Sequence, residues 1–250
     1  MNRVNIPNTA EHPKLIAHRG FAVDCPQNSA LAFQKAGAAG FWAIETDIRK
    51  TRDGHFVCLH DPDTLKTMEG GGEVAQMSLR ELRSLRFRNF RDLAETIPTL
   101  EEYLEICKKY DAHPFLETKT TDVAQVLETA FLYFSEEDVI LSSIDQSHMK
   151  LAMEVSSRVF LHHIFSTREI MQRLSRRGYA GVSYNYLDCE KAPRELLEET
   201  HRCGMCFCLR ASDDPESFQK ALAVGADYIP TNCLPPEQVK RSEQTKKWRL

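Results

Sequence analysis

The run FWAIETDIRKTRDGHFVCLHD, Phe41 to Asp61, decides the fold. It holds two β-rich stretches, FWAIETDI (41–48) and HFVCLHD (55–61), linked only through TRDGH. A parallel pair needs a crossover of about a dozen residues, so these two pair antiparallel, with Asp53-Gly54 at the turn. Seven further short apolar runs are of the same kind, namely KLIAH (14–18), PFLETK (114–119), DVILSSI (138–144), RVFLHHI (158–164), GVSYNY (181–186), MCFCLR (205–210) and ADYIPT (226–231). Helix signals lie between most of them, and near-continuous apolar strands separated by amphipathic helices imply a helix-covered parallel sheet. Nine runs less the hairpin partner leave eight parallel strands. The expected fold class is α/β: a distorted (β/α)8 TIM barrel with a β-hairpin after its second strand.

The helix signals are specific. Thr99-Leu-Glu-Glu102 and Ser78-Leu-Arg-Glu81 are capping boxes, and Asp214-Pro215 reads as an N-cap followed by proline at the first helical position. Residues 62–98 break the rhythm and read as an insertion over one face of a single barrel domain spanning 1–250. Gly70, Gly71 and Gly72 lack the following Gly-Lys-Ser/Thr of a nucleotide loop and read as a flexible loop. Arg80, Arg83, Arg86, Arg88 and Arg91 read as a solvated face, with a headgroup-binding patch as the alternative.

Composition narrows the class. The chain has 250 residues, 42% of them hydrophobic, and a formal net charge of −4. That charge gives no basis for nucleic-acid or anionic-membrane binding. The N-terminus MNRVNIPNTAEHPK lacks the apolar core of a signal peptide, and no apolar run approaches the roughly 18 residues of a membrane span. A soluble, cytoplasmic protein acting on a small molecule is expected. Free thiols are expected of the eight cysteines. The Cys203–Cys208 cluster CGMCFC has no second CxxC to complete a zinc site and reads as strand.

Barrel active sites form where strands end. The first run, within LIAHRG (15–20), ends in His18 and Arg19; the second carries Glu45 and Asp47; the hairpin strand ends in His60 and Asp61; the next carries Glu117 and Lys119. Glu45 and Asp47 share a strand face roughly 7 Å apart. Two such carboxylates cannot both stay ionised unless a positive charge joins them. With Glu117 they describe a hard-cation site for one Mg²⁺, Ca²⁺ or Mn²⁺ ion. If Asp53-Gly54 is a two-residue loop, Arg52 pairs with His55 and Asp47 faces His60, about 5 Å away between Cβ atoms. Two histidines can serve as general acid and base, while Arg19 and Lys119 with a cation stabilise phosphoryl charge; together they suit displacement at a phosphodiester.

These residues resemble the glycerophosphodiester phosphodiesterases. The matching pieces are His18-Arg19-Gly20, PQNS (26–29) with ALAFQKAGAAG, Ile44 to Asp47, TRDG (51–54) leading to His60-Asp61, IPTLEEYL from Ile97, and Leu116 to Lys119, with looser matches in ILSSID and GADYIPTN. The resemblance implies hydrolysis of a glycerophosphodiester to glycerol 3-phosphate and an alcohol. It implies Glu45, Asp47 and Glu117 as metal ligands, His18 and His60 as the acid–base pair, and Arg19 and Lys119 as phosphate binders. Four positions depart from the family pattern. Gln27 stands for the usual glutamate. LRASDD (209–214) replaces a WTVN-like segment, putting Arg210 for tryptophan and Asp213 for asparagine. Asn232 stands for the acid of the usual ITD ending. Arg210 therefore enters as a substrate-binding candidate for a second anionic or sugar group. Alternatives are a phosphodiesterase for a non-glycerol diester, a non-catalytic phosphodiester-binding barrel, and a glycosidase. The cationic groups disfavour the last, because an oxocarbenium ion gains nothing from them.

Overall fold

In the computed structural model, residues 14–185, 193–210, 213, 218, 221 and 223–236 are described. Cys189 and the Asp214-Pro215 cap lie outside them.

The strands are β1 (Lys14–Ala17), β2 (Ala43–Lys50), β3 (Phe56–Cys58), β4 (His113–Thr118), β5 (Ile140–Ser143), β6 (Phe160–Ile164), β7 (Ala180–Asn185), β8 (Cys206–Arg210) and β9 (Tyr228–Thr231). Their order is β1-β9-β8-β7-β6-β5-β4-β2-β3, and β1 also pairs with β2, which closes the ring. All pairs are parallel except β2–β3. The molecule is therefore an eight-stranded parallel (β/α)8 barrel with one antiparallel strand appended to β2. Around it lie α1 (Ala30–Ala38), α2 (Leu79–Arg83), α3 (Leu100–Lys109), α4 (Val123–Phe131), α5 (Gln146–Val155), α6 (Arg168–Arg177) and α7 (Pro193–Arg202).

Alternation along the strands sorts the side chains. Ile16, Ala43, Phe115, Ile140, Phe160, Cys208 and Tyr228 form one cluster, which fills the barrel. Their strand neighbours Ala17, Ile44, Leu116, Leu141, Leu161, Phe207 and Ile229 join a larger cluster with the helices. The period of two then places His18, Glu45, Asp47, Glu117 and Arg210 on the inner side at the strand ends. The cysteine cluster reads as expected: Cys208 is core, and Cys203, Cys206 and Cys208 are free thiols.

Both capping boxes form. Ser78 and Thr99 each accept from the residue three places on, whose glutamate reaches back to the cap. In the insertion, Met68, Val74, Leu82, Phe87 and Ile97 pack on Val57 and Leu59 of the hairpin as a separate small core. The triple glycine is pinned rather than loose: Thr64 Oγ1 donates to the Gly70 carbonyl at 2.8 Å and accepts from the Gly72 N–H at 3.0 Å. The arginines are largely exposed, with Arg83 on Glu102 and Arg91 on Glu69.

The hairpin register differs from expectation by one residue. Ile48 pairs with Cys58, Arg49 with Val57 and Lys50 with Phe56. The Thr51 N–H donates to the His55 carbonyl at 2.8 Å, so the loop is Arg52-Asp53-Gly54, three residues, with Gly54 left-handed at φ 90°. Thr51 Oγ1 fixes this longer turn, donating to Asp53 Oδ1 at 2.7 Å and accepting from the His55 N–H at 2.9 Å. As a result Leu59, not His60, sits opposite Asp47, and its N–H donates to the Asp47 carbonyl at 2.9 Å.

Candidate active site

The carboxylates meet because of strand register. Asp47 on β2 lies beside Glu117 on β4, and Glu45 is one inward step back along β2. Oxygens of Glu45, Asp47 and Glu117 all lie within 4.8 Å of one another. Around them stand two cations. Lys119 Nζ is 3.3 Å from Asp47 Oδ1 and ion-paired to Glu117 Oε1; Arg19 Nε is 3.3 Å from Asp47 Oδ2.

The HRG turn delivers a main-chain donor as well. Arg19 (φ 57°) and Gly20 (φ 82°) are both left-handed, and the Arg19 N–H donates to Glu45 Oε2 at 2.7 Å. A Cβ on Gly20 would come within 2.7 Å of the Ala32 Cβ, so only glycine lets α1 approach this turn. Arg19 Nη1 donates to Gln27 Oε1 at 3.1 Å, which gives the neutral Gln27 a partner. Asn28 was not singled out by its sequence, yet it braces β2: Nδ2 donates to Asp47 Oδ2 at 3.0 Å and Oδ1 accepts from Thr46 Oγ1 at 2.8 Å. The PQNS match was the available signal, since Ser29 also N-caps α1.

Charge is poorly balanced in this cluster. Burial, then Asp47 and Glu117, push Glu45 well above the usual carboxylate range. Burial also opposes charge on Asp47, but Lys119 and Arg19 outweigh it and hold Asp47 low. Glu45 Oε1 is buried with no hydrogen-bond partner. An all-oxygen donor set with excess negative charge and an orphaned inward oxygen fits a divalent cation.

His18 stands at the edge of the cluster, Nε2 4.0 Å from Glu45 Oε2. Its Nδ1 is 2.9 Å from Asn232 Oδ1, and its Nε2 is 3.2 Å from Arg210 Nη2. Burial, with Arg19 and Arg210 beside it, lowers its pKa to about 4. Arg210 thus lies in the mouth, with His18, Glu45 and Glu117 lining the same cavity of about 30 Å³. A space that small takes one or two waters. His60 is the residue the structure sets apart. It lies past the end of β3, its side chain 41% exposed and Nδ1 3.2 Å from Asp61 Oδ1. It remains close enough to Asp47 to help hold that carboxylate ionised. A larger groove of about 410 Å³, lined by Gln34, Glu95, Glu102, Glu105 and Lys109 among others, contains none of these residues. No described helix is long and apolar enough to cross a membrane.

The chain is similar to known phosphodiesterases in sequence and in fold. The family model described as "Glycerophosphoryl diester phosphodiesterase family" matches residues 18–172. A glycerophosphodiester phosphodiesterase of Caldanaerobacter subterraneus subsp. tengcongensis is 32% identical over 232 residues, covering 87% of this chain and 93% of that protein. One from Bacillus altitudinis is 38% identical, covering 93% of this chain and 99% of that protein. Among solved structures, an Oleispira antarctica phosphodiesterase in complex with the product sn-glycerol-3-phosphate superposes with a TM-score of 0.82 at 22% identity, covering 92% of this chain and 97% of that one.

Proposed function

Since the chain belongs to the glycerophosphoryl diester phosphodiesterase family, and is thereby a phosphoric diester hydrolase, we propose that it cleaves a glycerophosphodiester to glycerol 3-phosphate and an alcohol by cation-dependent acid–base catalysis. The observation that carries this reading is the Glu45–Asp47–Glu117 cluster, with its unpartnered oxygen, beside the cations Arg19 and Lys119 and the imidazole of His18. Those three carboxylates would hold the cation, Mg²⁺, Ca²⁺ or Mn²⁺. Bound there, it supplies Lewis-acid polarisation of the phosphoryl group.

The chain's own groups do the rest. Arg19 and Lys119 bind the phosphate oxygens, exchanging carboxylate partners for phosphate ones of similar geometry. Of His18 and His60, one takes the proton of the attacking water as the new P–O bond forms. The other gives a proton to the departing alcohol oxygen as the old P–O bond breaks, so no strong free base or acid is released. Asn28 keeps Asp47 oriented and ionised through its Nδ2 donor. Arg210, at the cavity wall, meets the substrate and favours a group that accepts hydrogen bonds.

The test is a panel of glycerophosphodiesters, other phosphodiesters and glycosides, assayed with Mg²⁺, Ca²⁺ or Mn²⁺. Glycerol 3-phosphate among the products supports the reading. Turnover of glycosides alone, or of no diester, removes it.

A further inference from the structure

Asp213 and Asn232 lie outside the cation and phosphate groups, yet they reach His18. Asp213 accepts from the Asn232 backbone N–H at 2.7 Å, from Asn232 Nδ2 at 2.6 Å and from Thr231 Oγ1 at 3.3 Å. An ionised carboxylate only accepts. The Asn232 amide must therefore turn its NH₂ to Asp213, because the flipped amide would set two oxygens against each other at 2.6 Å. Its Oδ1 then faces His18 Nδ1 at 2.9 Å, and Oδ1 is likewise only an acceptor. The imidazole proton is thereby placed on Nδ1. At the other end of the ring, Arg210 Nη2 lies 3.2 Å from Nε2 and only donates. Both neighbours demand the same neutral tautomer.

We propose that Asp213 and Asn232 are positioning residues: Asp213 locks the Asn232 amide, and the amide locks His18 as its Nδ1–H tautomer with the Nε2 lone pair toward the carboxylate cluster. This rests on the reading of His18 as one of the acid–base pair. Which nitrogen of a histidine works is set by the hydrogen bond of the other, and here that bond is made by an amide whose orientation a distant carboxylate fixes. The resemblance implies an asparagine at position 213 and an acid at position 232, and this chain carries the reverse. Proton transfer at Nε2 requires Arg210 to leave that lone pair for an anionic substrate oxygen, a stronger acceptor for a guanidinium.

The test is ¹⁵N NMR of histidine-labelled protein in Mg²⁺ buffer, with the His18 ring assigned through His18→Gln, beside steady-state kinetics on glycerophosphocholine. Wild type is expected as Nδ1–H without substrate. In Asp213→Asn the Asn232 amide is released to flip; the signal moves toward Nε2–H and kcat falls ~10- to 100-fold with KM little changed. Asn232→Asp sets two carboxylates in contact and loses turnover similarly. The reciprocal double variant, Asp213→Asn with Asn232→Asp, restores the Nδ1–H signal and most of kcat. A wild-type His18 protonated on Nε2, or single variants that keep both tautomer and turnover, overturns the proposal. The wild-type spectrum needs no variant to fold. An Nδ1–H signal in a protein that cleaves no diester would refute the functional reading and leave the tautomer lock standing.

Discussion

Glu45 has one oxygen on the Arg19 main chain and the other without a partner, in a cluster where burial and two neighbouring carboxylates oppose its charge. In the proposed reaction a cation completes the partners of that oxygen. His18, beside Glu45, and His60, past the end of β3, carry the proton traffic of that reaction. His18→Ala and His60→Ala are each expected to lower kcat by roughly 100-fold or more while divalent-cation binding, followed by titration calorimetry, survives. Near-normal turnover in either variant takes that residue out of the acid–base pair. Arg210→Trp is expected to shift preference toward simple glycerophosphodiesters in a competition assay, and an unaltered profile would separate Arg210 from the substrate. Most of these residues stood out as candidates in the sequence because charged groups recur together at the ends of four neighbouring apolar strands, where any one alone would have been ordinary. The role of Asn232 was not. Its imidazole partner is 214 positions away and its carboxylate 19 positions away, so no local pattern joins the three.

At the level of elements, Asp53-Gly54 reveals a turn but not how many residues it holds. Thr51 settled the count by bonding to both Asp53 and His55, and the one-residue difference put Leu59 where His60 was expected. A second element-level device had no sequence signal beyond the IPTLEEYL match. Tyr103 on α3 is fully buried, and its hydroxyl donates to the Ile44 carbonyl at 2.5 Å and accepts from the Phe115 N–H at 3.0 Å. It bridges β2 and β4, the two strands that carry the three carboxylates. Tyr103→Phe strands two buried main-chain groups, and about 1–3 kcal/mol of stability should go with them in urea denaturation. An unchanged midpoint would mean the strands re-pair without the hydroxyl. The insertion, by contrast, was recognisable by its length and capping box, while its small core on the hairpin needed three-dimensional contact to be seen.

Across the whole molecule, the alternation of apolar strands and capped helices was enough for the barrel, because each strand is buried on both sides and reads as a continuous apolar run. Buried histidines inside it make stability depend on pH. Burial, then His163 and Arg210, lower the pKa of His162 to about 3, from an ordinary 6.5. The unfolded chain therefore binds a proton that the folded chain refuses between those values. This contribution to stability is complete above the unfolded pKa and is lost as pH falls toward the folded one. His18, lowered to about 4, acts in the same direction. The urea midpoint should be higher at pH 7.5 than at pH 5, with a smaller difference in His162→Gln; equal pH dependence in the two proteins would clear His162 of this role. The cation at the heart of the proposed reaction is tested by one titration: glycerol 3-phosphate release from glycerophosphocholine against free Mg²⁺, Ca²⁺ or Mn²⁺, in wild type and Glu45→Ala. No release is expected in chelator, with recovery on adding the metal and a higher metal requirement in the variant. Full turnover in chelator, or identical metal curves for the two proteins, would contradict a cation held by these carboxylates.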